Sequence, residues 1–78
     1  MQHENGLEAA FGRVIRELRT ERGLSQEKLA EAAGLHRNYV GLVERGLNSP
    51  SLSVIVALAE ALGLRPFDLV RQAEGRVH

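Results

Sequence analysis

Four glycines, Gly23, Gly34, Gly46 and Gly63, set the main limit on what this chain can fold into, because each closes a stretch of helical apolar periodicity. Glycine enters the left-handed backbone region without the steric penalty of a Cβ, so it ends helices cleanly. A chain punctuated this way builds several short helices. Leu7, Phe11, Val14, Ile15 and Leu18 recur at helical spacing, with Arg13, Arg16, Glu17, Arg19 and Glu21 between them, and predict an amphipathic first helix ending at Gly23. Ser25 is a good N-cap, Glu27 complements the positive helix end, and Leu29, Ala30 and Ala33 form the stripe of a short second helix that stops at Gly34. A third helix begins near His36, buries Val40 and Val43 with help from Tyr39, and ends at Gly46. After the loop Leu47-Asn48-Ser49-Pro50, a fourth starts at Ser49 or Ser51 and turns Leu52, Ile55, Leu58, Ala59 and Leu62 toward the core. Pro66 opens a fifth, with Phe67, Leu69 and Val70, which fades into a polar tail from Gln72. The run Val54-Ile55-Val56 has β propensity, but no second segment offers it a partner strand. The expected class is therefore all-α, with five helices.

A chain of 78 residues forms a single domain over 1–78, with its core at about residues 7–72. Its 44% apolar and 26% charged residues are an ordinary globular balance, which excludes a disordered tail or a fibre. No apolar run approaches the roughly 20 residues of a membrane span, and the polar start Met1 to Gly6 is unlike a signal peptide. The absence of cysteine removes disulfides, thiolate metal sites and a Cys nucleophile, and leaves the cytoplasm as the expected location. His3, His36 and His78 are too scattered for a metal site. No nucleophile and base stand together, and no glycine loop cradles a phosphate, so neither an enzyme, a cofactor nor a small-molecule effector is expected. Ten Lys and Arg against ten Asp and Glu leave no net charge, which makes long-range attraction to a polyanion weak unless the cations cluster.

Between Gly23 and Gly46 two short helices are joined by a tight turn at Gly34-Leu35, the arrangement a helix-turn-helix requires. This unit spans about residues 25–45. Four stretches stand in order: Phe11-Gly12-x-Val14-Ile15-Arg16-x-Leu18-Arg19, Gly23-Leu24-Ser25-Gln26-Glu27-x-Leu29-Ala30, Gly34-Leu35-His36-Arg37-x-Tyr39-Val40, and Val43-Glu44-Arg45-Gly46 with Asn48-x-Pro50-Ser51-Leu52 after it. The chain resembles, from about Phe11 to Val70, the Xre-like regulators of the lambda repressor and Cro group. Among these it is most similar to the small controller proteins of restriction-modification systems. The resemblance implies a compact five-helix, lambda repressor-like domain that binds double-stranded DNA as a homodimer on a pseudo-palindromic operator.

On the expected recognition helix, Arg37 can grip guanine O6 and N7, and Asn38 can grip adenine N6 and N7. The plainer alternatives are a phosphate contact for Arg37 and a helix-start polar residue for Asn38. His36 is grouped with the base readers on the outward side of this helix; alternatively its neutral ring accepts a capping bond, or its charged ring meets phosphate, although the helix dipole disfavours that charge. Gly41 either lets the backbone approach the groove or is merely tolerated. Leu42 either touches a thymine methyl or is partly buried. The resemblance implies that Gln26 clamps a phosphate, where the alternative is a solvated glutamine. It implies that Tyr39 packs under the helix with its tip at the DNA backbone, and Arg45 and Asn48, flanking the loop after the helix, can hold phosphates; by the distribution of charge, Lys28 joins Arg37 and Arg45 on that side. It also implies an internal ion pair between Arg19 and Glu44.

If Leu52 and its stripe face the core, then Val54, Val56 and Phe67 are left over as apolar surface and make an isologous dimer contact. Ordinary core packing is the alternative for Phe67. From another functional class, the same fold can serve as an antitoxin or antirepressor that mainly holds a partner protein. The Arg37-Asn38 pair favours DNA.

Overall fold

The computed structural model describes residues 6–77, and in it all four of those glycines have positive φ, between 69° and 77°. The helices they separate are α1 (Gly6–Glu21), α2 (Gln26–Ala33), α3 (Arg37–Glu44), α4 (Leu52–Leu62) and α5 (Pro66–Glu74). Among the described residues there is no strand. Gly34 shows why the turn needs glycine. At φ 69° its N–H reaches back to Glu31 O while Leu35 N–H closes on Ala30 O at 2.8 Å, so α2 stops and α3 leaves in a new direction within three residues. Side chains fix the other ends: Ser25 Oγ accepts from Lys28 N–H, His36 Nδ1 from Asn38 N–H, and Ser51 Oγ from Val54 N–H. Ser51, and not Ser49, therefore starts α4.

The core gathers Phe11, Val14, Ile15 and Leu18 of α1, Leu29 and Ala30 of α2, Val40 and Val43 of α3, Leu58, Ala59 and Leu62 of α4, and Leu69 and Ala73 of α5. Each large side chain buried here contributes roughly 1.5–3 kcal/mol. Four expectations fail at its margins, at Leu52, Val54, the end of α5 and Leu7. Leu52 is 82% exposed, whereas Val54 is half-buried against the core. The inward row of α4 is Val54, Leu58 and Leu62, one residue per turn, and Leu52 belongs to the neighbouring outward row with Val56. Helix α5 also runs past Gln72, and Ala73 is fully buried against the core. Leu7, expected in the apolar stripe, sits in the first turn of α1 and is 46% exposed. His3 and His78 lie outside the described residues.

Two close contacts of α1 tie it to α3 and to the segment after α5. Gly12, in the middle of α1, lies against the end of α3 so closely that a Cβ there would stand 2.3 Å from Val43 O and 2.5 Å from Glu44 O. Arg76, past α5, grips Glu17 on α1 with both terminal guanidinium nitrogens, Nη1 at 2.8 Å and Nη2 at 2.6 Å. The hydrogen bond from Arg76, reinforced by its charge and that of Arg13, holds the Glu17 carboxyl below its ordinary range.

Gly12→Ala should destabilise the domain by about 2 kcal/mol or more in urea unfolding, because the obstructing atoms are backbone and cannot rotate away. Gly75→Ala is the control, since its nearest neighbours lie at 3.6 Å and a similar loss there would contradict the steric account. Because the folded carboxyl of Glu17 titrates lower than the unfolded one, the tie contributes stability above the ordinary glutamate range and loses it as pH falls through the lowered folded value. Arg76→Ala should raise the Glu17 titration midpoint seen by NMR and flatten this part of the acid profile.

Candidate nucleic-acid interface

The site begins with a charge that would be unfavourable alone. Glu44 ends α3, at the negative end of the helix dipole, and is buried. Arg19 on α1 answers it with a two-pronged pair: Nε donates to Oε2 at 2.6 Å and Nη2 to Oε1 at 3.1 Å. The third prong, Nη1, donates to Leu24 O at 2.8 Å, just before α2. Gln26, the first residue of α2, adds a hydrogen bond from Nε2 to Glu44 Oε1 at 3.0 Å. One carboxylate therefore joins α1, α2 and α3. The ion pair was legible in the sequence; the part of Gln26 in it was not, since a glutamine at a helix start looks solvent-facing without knowledge of what lies opposite.

With its C-terminal end fixed in this way, α3 turns its other side outward. Gln26, Arg37, Asn38, Gly41, Leu42 and Arg45 line a shallow hollow of about 320 Å³ there. Arg37 and Asn38 are exposed, Leu42 is half-buried, and Arg45 Nε donates to Gly41 O at 3.3 Å. At Gly41 a Cβ would stand 3.8 Å from Gln26 Oε1, so the missing side chain leaves the glutamine amide open to the hollow. His36 lines a second, adjoining hollow that shares Arg37 and Asn38 and has Glu27 and Glu31 in its wall. The structure thus brings Gln26, Arg37, Asn38, Leu42 and Arg45 together and sets His36 beside them. Tyr39 is half-buried with its ring against the core, and Asn48 is half-buried in the loop after α3, neither lining the first hollow. Lys28 does not join the cations there: its ammonium lies 3.6 Å from Glu31 on the outer side of α2.

Away from this face, Leu52, Ile55, Val56, Pro66, Phe67 and Val70 form an apolar groove of about 540 Å³ between α4 and α5. Phe67 is 54% exposed, with the guanidiniums of Arg65 and Arg71 over its ring at 5.9 and 5.2 Å from the centroid. Among the described residues, no set of three or more His, Asp or Glu side chains is arranged to hold a metal ion, and no helix is long and apolar enough to cross a membrane.

Comparison with known proteins agrees with this geometry. The helix-turn-helix family designated HTH_3 matches residues 15–69. Control protein C.BamHI of Bacillus amyloliquefaciens is 40% identical over 67 residues, covering 85% of this chain and 83% of that protein. The crystal structure of the restriction-modification controller protein C.AhdI from Aeromonas hydrophila superposes with a TM-score of 0.76 at 54% identity, over 78% of this chain and 92% of that one. The clp gene regulator ClgR of C. glutamicum superposes with a TM-score of 0.85 at 29% identity, over 92% of each chain. Regulators and control proteins carry these names, so the partner-holding alternative is not favoured.

In a double-mutant cycle, Arg19→Ala and Glu44→Ala should each cost about 3–5 kcal/mol, while the double substitution costs clearly less than their sum, with a coupling of about 1–3 kcal/mol in urea unfolding. Additive losses would mean that the two charges do not sustain each other.

Proposed function

Since the chain belongs to the helix-turn-helix family HTH_3, a family of DNA-binding transcription regulators and not of enzymes, we propose that it acts as a single-domain homodimer that binds a specific double-stranded operator. Its place is the prokaryotic cytoplasm. The observation that carries this reading is the hollow on the outer side of α3, where two guanidiniums, two amides and an apolar side chain converge on a rigidly held short helix. In the major groove, Arg37 donates to guanine O6 and N7, Asn38 pairs with adenine N6 and N7, and Leu42 meets a thymine methyl. Gln26, Arg45, Tyr39 and Asn48 face the backbone and hold phosphates. Only one of the two Nε2 hydrogens of Gln26 goes to Glu44, so the other is free to donate to a phosphate. The similarity to C.BamHI and C.AhdI supports a role as controller of a restriction-modification system.

The dimer forms on the groove between α4 and α5. Val54, expected there from the sequence, has its place in the core, and Leu52 takes over with Val56 and Phe67. The groove is rimmed by Arg71 and Glu74, opposite charges that an isologous contact can pair between the two copies. Dimerisation matters more than usual here. With no net charge, one subunit has little general attraction to DNA, and joining two half-site contacts multiplies their effect.

Arg37→Ala should fold normally and lose preference at one base position by about 1–3 kcal/mol in a binding titration against matched and substituted duplexes. An unchanged ratio between operator and scrambled DNA would reduce Arg37 to a phosphate contact. Phe67→Glu should sediment as a monomer and bind operator about 100-fold or more weakly. A variant that remains dimeric would place the interface elsewhere.

A further inference from the structure

Among the described residues, the three helices with side-chain caps, α2, α3 and α4, are not capped alike. Ser25 and Ser51 cap α2 and α4 with hydroxyls, whereas α3 is capped by an aromatic ring that extends beyond the cap. His36 stands before α3 in extended conformation (φ −79°, ψ 141°), and its Nδ1 accepts the Asn38 N–H at 3.2 Å. An imidazole nitrogen that accepts a hydrogen bond carries no proton, so in the neutral ring the proton is on Nε2. The cap selects the tautomer. Nε2–H is then left on the far side of an exposed ring, engaged in none of the hydrogen bonds among the described residues.

We infer that His36 is a specificity-determining residue that donates through Nε2–H to an acceptor on a base edge in the major groove, an inference that rests on α3 being the recognition helix. The acceptors available are guanine O6 and N7, adenine N7 and thymine O4; the amino groups of adenine and cytosine are refused, because the ring offers them no lone pair. Its surroundings favour a base over a phosphate. Glu27 and Glu31 share the hollow that His36 lines; Glu31 is paired with Lys28, and the charge of Glu27 disfavours a phosphate beside the ring far more than the uncharged edge of a base. The next residue, Arg37, lines the same hollow and is likewise a donor only. Two adjacent side chains without an acceptor between them call for neighbouring acceptors on the DNA, and since Arg37 takes O6 and N7 of one guanine, His36 donates to an acceptor of the adjoining base pair. Asn38, which both donates and accepts, is the residue of this end able to meet an amino group.

The cap and the donor belong to one ring, and His36→Ser separates them: serine retains a capping oxygen and removes Nε2–H. Selection from randomised duplexes should show, for His36→Ser against wild type, a drop of about five- to tenfold in preference at one base pair of each half-site, with the thermal midpoint preserved. His36→Ala should lose the same preference and also melt earlier. Long-range 15N–1H correlation of the His36 ring in the free protein, at alkaline pH, should show the Nε2–H tautomer. An Nδ1–H ring would overturn the inference whatever the DNA result. In a wild-type protein that selects a site, unchanged preference in His36→Ser would overturn the inference alone; a wild type that selects no site would remove the recognition-helix reading and this one with it.

Discussion

The rest of the molecule depends on the ion pair between Arg19 and Glu44. A carboxylate at the last residue of a helix faces the unfavourable end of the dipole, and a buried one also forgoes water. The planar guanidinium answers both problems, because its fork matches the two carboxylate oxygens and its remaining prong satisfies Leu24 O. Such a pair is weak evidence for overall stability, since an apolar replacement of similar shape often serves as well. What it supplies is direction. It fixes the end of α3 to α1 and to the start of α2, and it does so only because Gly12 lets the α3 carbonyls come down onto α1.

That fixation determines how the protein can act. Helix α3 is short, so with one end buried its N-terminal end and outer side are what remain for contact. The groups exposed there are mostly donors: Arg37, Arg45, a free N–H of Gln26 and the Nε2–H of His36, with Asn38 able to do both. A face of this kind suits base edges and phosphate oxygens held at short range. It does not suit long-range capture, because carboxylates stand close by on α2 and the chain as a whole is neutral. On the proposed reading, affinity comes from fit and from joining two copies, and the proposed dimer contact ties the reading face to the apolar groove between α4 and α5.

Much of this was legible in the sequence, for reasons that are local. A positive-φ glycine and a hydroxyl N-cap act over three or four residues, so Gly34, Gly63, Ser25 and Ser51 announce their turns without reference to the rest of the fold. The Arg19–Glu44 pair was legible through family resemblance. The illegible parts depend on distant elements. Leu52 and Val54 differ by two positions on one helix, and both are apolar, so only the placement of α1, α2 and α5 decides which row turns inward. Gly12 looks like a poor helix residue until α3 is laid across it. Arg76 reads as part of a polar tail until Glu17 is placed opposite. Gln26 was expected at the DNA backbone, and its bond to Glu44 is visible only when α2 and α3 are packed.

The central claim is that two copies of α3 read DNA across a two-fold axis, and half-site spacing tests it most directly. Two recognition helices presented by such a dimer lie about 34–36 Å apart, so selection and hydroxyl-radical footprinting should return a pseudo-palindrome with half-sites centred about 10–10.5 bp apart. Inserting about half a helical turn, roughly 5 bp, between the half-sites should abolish tight binding, since the second helix would then face the wrong side of the duplex. Binding that survives this insertion unchanged, or a footprint on a single isolated half-site, would contradict the account.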